Sequence, residues 1–347
     1  MEILITGGNG ILGRHLASAM RHRGDAVRVL ALPADDTRWL ESHGVTIYRG
    51  DVRQFGTLGP AMRGARAVVH LACLRDGWRP FSEHLAINVT GTENVCRAAL
   101  REKVQRLVHV SSWMVYGIGL GEAAREDFLL HPFKDPYAIS KALADKAVQR
   151  MIAEDSLPAT IIRPAEYFGP GDLRHFARIA CRMQAGRAVI IGTGDNALPF
   201  VYVTDVVLGT LLCLDHESAV GQAFNITTNQ PMTQARLFDA IAREIGASPP
   251  RIHLPYALAC AVGSTHDRIT AVTGVRRHMA ITRQEVNLYG TDNRQRIDKA
   301  ARQLGYRPQV DLRTGTRYTA AWYLDTFHGP SYSQTPHDRS AFTLPQA

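Results

Sequence analysis

The sequence predicts an α/β fold: a doubly wound parallel sheet followed by a smaller, mainly helical C-terminal lobe. Three observations carry that prediction. Short apolar runs alternate with helix-period segments through the first half of the chain, a glycine-rich turn joins the first run to the first helical segment, and the alternation stops after about residue 164. Apolar strands separated by amphipathic helices call for right-handed βαβ crossovers and a parallel sheet covered on both faces.

In chain order, strands are predicted at 3–6, 27–32, 45–49, 67–71, 107–111 and 159–163, each an apolar run dominated by Val, Ile, Leu or Ala. Helices are predicted at 12–21, 57–62, 85–100 and 137–154, where apolar side chains recur every three or four positions. The second half carries turns at Gly169-Pro170-Gly171, Gly192-Thr193-Gly194 and Pro249-Pro250, and helices at 233–245 and 314–327. Residues 1–165 therefore form the sheet domain, with a later strand near 200–204 completing its sheet. Residues 166–327 form the second lobe. From residue 328 the chain is rich in Pro, Ser and Thr and aperiodic, the pattern of a mobile tail.

At 347 residues, 45% hydrophobic and 21% charged, the chain has globular composition and enough length to bury a core without disulfides or structural metal. Its formal charge of +8 invites a nucleic-acid reading. Only five of the basic residues are Lys, and the arginines are scattered singly or in pairs such as Arg276/Arg277, with no like-charged run. A solvated basic surface accounts for them, and no nucleic-acid partner is expected. Five cysteines without a C-x-x-C pair indicate neither a disulfide framework nor a zinc site. The chain starts directly in a strand pattern, and its longest apolar stretch, 254–263, is about half a membrane span. A cytoplasmic protein with no membrane partner and no metal is expected.

Three motifs carry chemistry. Gly7-Gly8-Asn9-Gly10-Ile11-Leu12-Gly13 follows the first strand and opens the first helix. Glycines at 7, 10 and 13 permit a tight turn, close approach to a pyrophosphate and helix–strand packing, and the helix N-terminus offers free N–H groups to phosphate. The second motif, Tyr137-Ala138-Ile139-Ser140-Lys141, puts a phenol and an ammonium on one helix face. A neighbouring cation favours phenolate, which suits Tyr137 to acid/base work. In the third, 107–111 ends in Ser111-Ser112 at the carboxyl edge of the sheet, where ligands of open α/β folds bind. Each alone has a bland reading: a glycine turn, a surface pair, a strand-end hydroxyl.

Together they resemble the extended short-chain dehydrogenase/reductases, the NAD-dependent epimerase/dehydratase superfamily with its Rossmann-type fold, nearest the 3β-hydroxysteroid dehydrogenase-like branch. The resemblance covers residues 1 to about 324, through RGDV at 49–52, VVHLAC at 68–73, NVTGTENV at 88–95, IIRPAEYFGPGD at 161–172, FVYVTDV at 200–206 and LGYRP at 304–308. It implies an NAD(P)-dependent oxidoreductase acting between a secondary alcohol and a ketone. Tyr137 would be the acid/base, Lys141 would tune it and bind the nicotinamide ribose, and Ser112 would hold the substrate oxygen. Ser112 is preferred to Ser111 because it stands four residues before Tyr116 of the V-Y-G motif. Cofactor contacts would come from Gly7, Asn9, Gly10, Ile11, Leu12 and Gly13 in the loop, from Asp51 and Val52 at the adenine, and from Leu71, Ala72 and Cys73 beside the ribose and phosphates. Pro164 would face the nicotinamide, and Asn88 matches a helix Asn near the active site. The resemblance further implies a homodimer through 85–100 and 137–154.

The chain departs from the pattern in places. The acid that normally ends the second strand and selects NAD is replaced by Ala31, with Asp35 and Asp36 a few residues on. NAD is expected, with NADP left open. Trp113 and Met114 stand where sugar-nucleotide dehydratases and decarboxylases carry acids, and Leu198 stands where many 4-epimerases carry a diphosphate-binding Arg. A dehydrogenase is thus the first reading, a nucleotide-sugar 4-epimerase with tightly held NAD the alternative, and a non-catalytic nucleotide sensor a remote third. Segments 192–206 and 279–288 look closest to sterol- and ketone-acting members. Trp78, Trp113, Tyr167, Phe168 and Phe200 are candidate pocket aromatics, and Arg75, Trp113 and Glu166 are candidate substrate contacts.

Overall fold

The computed structural model describes residues 1–76, 79–230, 232–273 and 281–328. Trp78, part of the 279–288 segment and the tail beyond 328 lie outside the described residues. The first half alternates as β1 (Glu2–Thr6), α1 (Ile11–His22), β2 (Ala26–Ala31), α2 (Arg38–Ser42), β3 (Thr46–Arg49), α3 (Leu58–Met62) and β4 (Ala67–His70). It continues with α4 (Phe81–His84), α5 (Gly91–Arg101), β5 (Arg106–Val110), α6 (Pro136–Asp155) and β6 (Ala159–Pro164). A π-helical stretch, Leu85–Thr90, joins α4 to α5, so the helix expected at 85–100 widens just before Gly91. A 3₁₀ turn, Trp113–Tyr116, follows β5.

The second half holds β7 (Glu166–Phe168), α7 (Phe176–Gln184), β8 (Ile190–Ile191), β9 (Phe200–Tyr202), α8 (Val203–Asp215), β10 (Ala223–Ile226) and α9 (Gln234–Glu244). After these come β11 (His253–Leu254), α10 (Tyr256–Thr273), α11 (Arg283–Gly290), α12 (Asp298–Leu304) and α13 (Leu312–His328).

Seven parallel strands make the main sheet in the order β10-β6-β5-β4-β1-β2-β3. The strand order reverses next to β1, and there the carboxyl ends of β1 and β4 part to open a crevice. One expectation is corrected. The strand near 200–204 does not complete this sheet: Phe200–Tyr202 pairs with Glu166–Phe168 in a separate two-stranded ribbon, and Val203 already begins α8. The seventh strand is β10, which returns beside β6 after α8. Two apolar layers flank the sheet. One packs Ile3, Ile5 and Val29 against Leu16 and Met20 of α1 and runs on into the second lobe; the other packs Leu4, Val68 and Leu107 against Val95 of α5 and Val148 of α6.

One buried ion pair ties α6 to β6. Arg163, 2% exposed, donates from Nε and Nη2 to the two carboxylate oxygens of Asp145 at 2.9 and 3.0 Å. Ser111 donates to the same carboxylate at 2.6 Å. This network lies directly behind the end of β5.

Candidate active site

The glycine loop closes the crevice at one end. Gly7 has φ +70°, and a Cβ there would meet the Ala72 amide nitrogen at 2.6 Å; a Cβ on Gly13 would sit 2.5 Å from the Gly8 Cα. Only glycine lets β1, α1 and the β4 end come this close. Gly10 caps α1 without a side-chain bond, and the first turn holds no acid. Its free amides and the positive end of the helix dipole are left for an anion.

A cleft of about 470 Å³ runs from this loop across the sheet edge. Its walls include Gly7, Asn9, Gly10, Ile11, Leu12 and Gly13 at one end, Leu71, Ala72 and Cys73 along β4's exit, and Ser112, Trp113, Tyr137 and Pro164 at the other end. Arg75 and Glu166 line it too. All but four of the site residues named from the sequence thus meet in one space. Asp35 also lines the cleft, and its carboxylate accepts from the Leu32 amide at 3.0 Å, which places an acid just past the end of β2 where Ala31 offers none. The cradle, its uncapped amides and this acid fit the dinucleotide that the fold implies.

Four expected residues lie behind the cleft lining. Asp51 is paired with Arg53 at 2.5 Å, and Val52 packs under α5 against Gly91. Asn88 clamps the β4 loop by accepting from the Leu74 amide at 2.6 Å and donating to the Leu74 carbonyl at 2.9 Å and to Ser140 at 2.8 Å. Lys141, 3% exposed, donates to the Val110 carbonyl at 2.6 Å. Burial lowers its pKa, although Cys73 and Asp145 favour its charge.

Tyr137 sits at N2 of α6, whose N-cap Asp135 accepts from Ala138. Burial raises the phenol above its ordinary value, so it holds its proton. The cation acting against that shift is Arg75, whose guanidinium carbon lies 5.5 Å from the Tyr137 ring centre. The sequence assigned that part to Lys141. The two hydroxyls of β5 divide their tasks: Ser111 gives its proton to Asp145, whereas Ser112 accepts from the Met114 amide at 3.2 Å and keeps its own proton to donate. That division favours Ser112 as the substrate-facing hydroxyl.

Beyond Tyr137 the cleft ends in a charged cluster. Arg75 donates to Glu166 at 2.5 Å, His175 Nε2 lies 3.0 Å from the same carboxylate oxygen, and the Trp113 indole donates to the other oxygen at 3.4 Å. Burial works against the Glu166 charge, but Arg75 and His175 outweigh it and hold its pKa far below the usual range. Tyr167 lines the cleft, while Phe168 and Phe200 are core residues in the layer beneath. Arg174 and His175 also line it and were not singled out from the sequence; no motif spacing marks them, because the turn before α7 delivers them.

Residues 3–227 match the NAD dependent epimerase/dehydratase family. The chain belongs to that family. A 2-alkyl-3-oxoalkanoate reductase of Stenotrophomonas maltophilia is 29% identical over 332 residues, covering 91% of this chain and 98% of the relative. A bovine sterol-4-alpha-carboxylate 3-dehydrogenase, decarboxylating, is 29% identical over 322 residues, covering 89% and 88%. The solved UDP-glucuronic acid 4-epimerase of Bacillus cereus, in complex with UDP-glucuronic acid and NAD, superposes with a TM-score of 0.75 at 20% identity, covering 93% and 99%. At that identity the likeness shows the fold alone. Among the described residues no helix is long and apolar enough to cross a membrane, and no cluster of His, Cys, Asp and Glu has the form of a metal site.

Proposed function

We propose that the chain is an NAD-dependent oxidoreductase that transfers a hydride between a secondary alcohol or ketone carbon and the cofactor. The observation that carries this reading is that one cleft has the uncapped α1 N-terminus at one end and Ser112, Tyr137 and Pro164 at the other. Bound NAD would supply the hydride acceptor or donor at its nicotinamide ring. The α1 amides would hold the pyrophosphate, and Asp35 would accept from the adenosine ribose, which favours NAD over its 2′-phosphorylated form.

Ser112 donates to the substrate oxygen and fixes it beside the Tyr137 phenol. In the direction of reduction Tyr137 gives its proton to that oxygen as the carbonyl becomes an alcohol; in oxidation it takes the proton back. Burial leaves Tyr137 protonated, the form that serves reduction directly. Lys141, fixed against Val110, supports the cofactor side of the helix face. Leu198 is buried in the core and brings no cation to a sugar diphosphate, and the two curated relatives are named as a reductase and a dehydrogenase. Both points favour net oxidation or reduction over epimerisation.

The test is isotopic. A panel of secondary alcohols deuterated at the carbinol carbon is incubated with protein and NAD, and the nucleotide is recovered for mass spectrometry. Deuterated NADH is expected from at least one alcohol. Stoichiometric NAD carried through purification, with no net NADH formed, would instead support the epimerase.

A further inference from the structure

Helix α10 (Tyr256–Thr273) is covered on one side only. Its inner face packs through Ala259, Gly263 and Thr270, and a Cβ on Gly263 would sit 2.9 Å from the Arg283 amide nitrogen. Asp267 accepts from that same amide at 3.0 Å, and the Arg283 guanidinium donates to Ser264 at 3.3 Å. The outer face carries Leu258, Val262, Ile269 and Val272, which are 52%, 45%, 55% and 86% exposed. With Thr265 they follow one another at intervals of four, three, four and three residues. That spacing keeps them in a single row about 21 Å long. Ile252, also exposed, precedes the helix. Single exposed aliphatic side chains are ordinary. An aligned row of them, on a helix whose inner face is already packed, marks a surface to be covered.

We infer that this row docks on the surface of an anionic lipid bilayer, with α10 lying in the plane of the interface. The charge around the row selects that occupant. Between positions 251 and 283 the sequence holds five arginines (Arg251, Arg268, Arg276, Arg277 and Arg283) against a single acid, Asp267. At about 100° per residue Arg268 stands at the edge of the row. Asp267 falls on the opposite side of the helix, where the Arg283 amide holds it. A second copy of the chain would bring like charges together across the row, whereas an anionic surface meets them with opposite charge. Four aliphatic side chains on one helix also fall short of the roughly 800 Å² per partner that a stable protein interface buries. The row holds no aromatic anchor of the kind that centres such an interface. The apolar stretch at 254–263 is about half of what a span needs, and Asp267 and Arg268 interrupt the helix beyond it. A helix lying in the interface needs only one apolar face with cations beside it. The docking face therefore sets aside the expectation of no membrane partner. On its inner side α11 links α10 to the cleft: Gln284 donates to the Met114 sulfur at 3.6 Å, next to Trp113 of the cleft wall.

The test is vesicle co-sedimentation of the full chain. Vesicles of phosphatidylcholine alone are compared with vesicles holding about 30 mol% phosphatidylglycerol, each titrated at low and at high salt. The native protein should partition onto the anionic vesicles at least about tenfold more strongly than onto the neutral ones, and lose most of that preference at high salt. The triple variant Val262→Ser, Ile269→Ser, Val272→Ser should lose partitioning at least about tenfold and keep the native melting temperature, because all its positions face solvent. Should the triple variant melt early, Val272→Ser alone, at the most exposed position of the row, is read instead and should cost about threefold. Arg268→Gln should weaken binding to the anionic vesicles about fivefold and leave neutral vesicles unchanged. No partitioning onto either vesicle overturns the inference, as do equal partitioning onto both or native partitioning by the serine variants. Sedimentation velocity without lipid tests the other occupant. A native oligomer that the triple variant breaks into a smaller species would give the row to a second copy and overturn the inference. Unchanged mass in a variant that has lost lipid binding supports it.

Discussion

At the scale of single residues, the site depends on how burial distributes protons. Ser111 is committed to Asp145, so Ser111→Ala should cost stability and leave kcat within a few-fold, whereas Ser112→Ala should lower kcat by about 100-fold, a typical loss for one group that binds a reacting oxygen. Steady-state kinetics beside thermal melts would separate the two, and equal kinetic losses would show that the hydroxyls are not divided in this way. Asp35 gives a second test. Asp35→Ala should weaken NAD about tenfold with little effect on NADP, measured by titration; unchanged NAD affinity would remove its assignment to the ribose. The placement of Tyr137 and Lys141 on one helix and of the glycine turn before α1 was legible in the sequence because each lies within a short fixed spacing. Arg75 and Glu166 were named from the sequence without their pairing, and His175 was not named. Arg75 and Glu166 are 91 positions apart, and only the fold brings them to 2.5 Å.

At the scale of elements, α1 is the part most sensitive to a small change. A methyl group on Gly13 would press on the Gly8 backbone, which cannot rotate away as a side chain could. Gly13→Ala should therefore lower the melting temperature, through an overpacking cost of about 1–3 kcal/mol, and reduce NAD affinity at least about tenfold. Native-like melting and binding would show that the α1 entry tolerates a looser fit. The Asp145–Arg163 pair links α6 to β6 in the same unforgiving way. Asp145→Asn should destabilise by about 3–5 kcal/mol in denaturant titration, because it leaves a buried guanidinium uncompensated. A loss below about 1 kcal/mol would mean that the site is wetter than its burial indicates.

Five of the six strands of the first half were readable because their apolar runs are buried on both sheet faces; the edge strand β3, Thr46–Arg49, is exposed at both ends. The seventh strand was not readable: Ala223–Ile226 is four residues long and contains Asn225, whose amide is satisfied by the Ala124 and Arg296 carbonyls. Phe200-Val201-Tyr202 carries a stronger strand signal, yet it pairs outside the main sheet. Strand propensity reports a residue's fit to a half-buried pleated surface and does not say which surface it joins.

For the molecule as a whole, the buried histidines set a pH dependence. Burial lowers His15 to about 4 and His70 to about 3, and lowers His109 as well. His15 accompanies the contact of α1 with the second lobe through the Pro170 carbonyl, and His70 lies between Thr6 and Thr92 in the sheet core. In the unfolded chain each titrates near 6.5. Folded pKa values below the unfolded ones give stability that is fully present above about pH 6.5 and is lost as pH falls towards 4, at about 1.4 kcal/mol per pH unit for each histidine. The depressed carboxyls of Glu166 and Glu285 act in the same direction at lower pH. Melting temperature should be flat from pH 8 to 7 and fall steadily from 6.5 to 4.5; a flat profile to pH 5 would mean that these rings gain protons within the fold.

The central claim is that one cleft binds NAD at the α1 end and uses Tyr137 as the acid/base at the other. The most direct measurement compares native protein with Tyr137→Phe by NAD titration and by hydride transfer to or from an alcohol that the native protein accepts. The account predicts NAD affinities within about threefold of each other and a loss of hydride transfer of at least about 1000-fold in the variant. Hydride transfer at the native rate by Tyr137→Phe, or a native protein that binds no nicotinamide nucleotide, would contradict it.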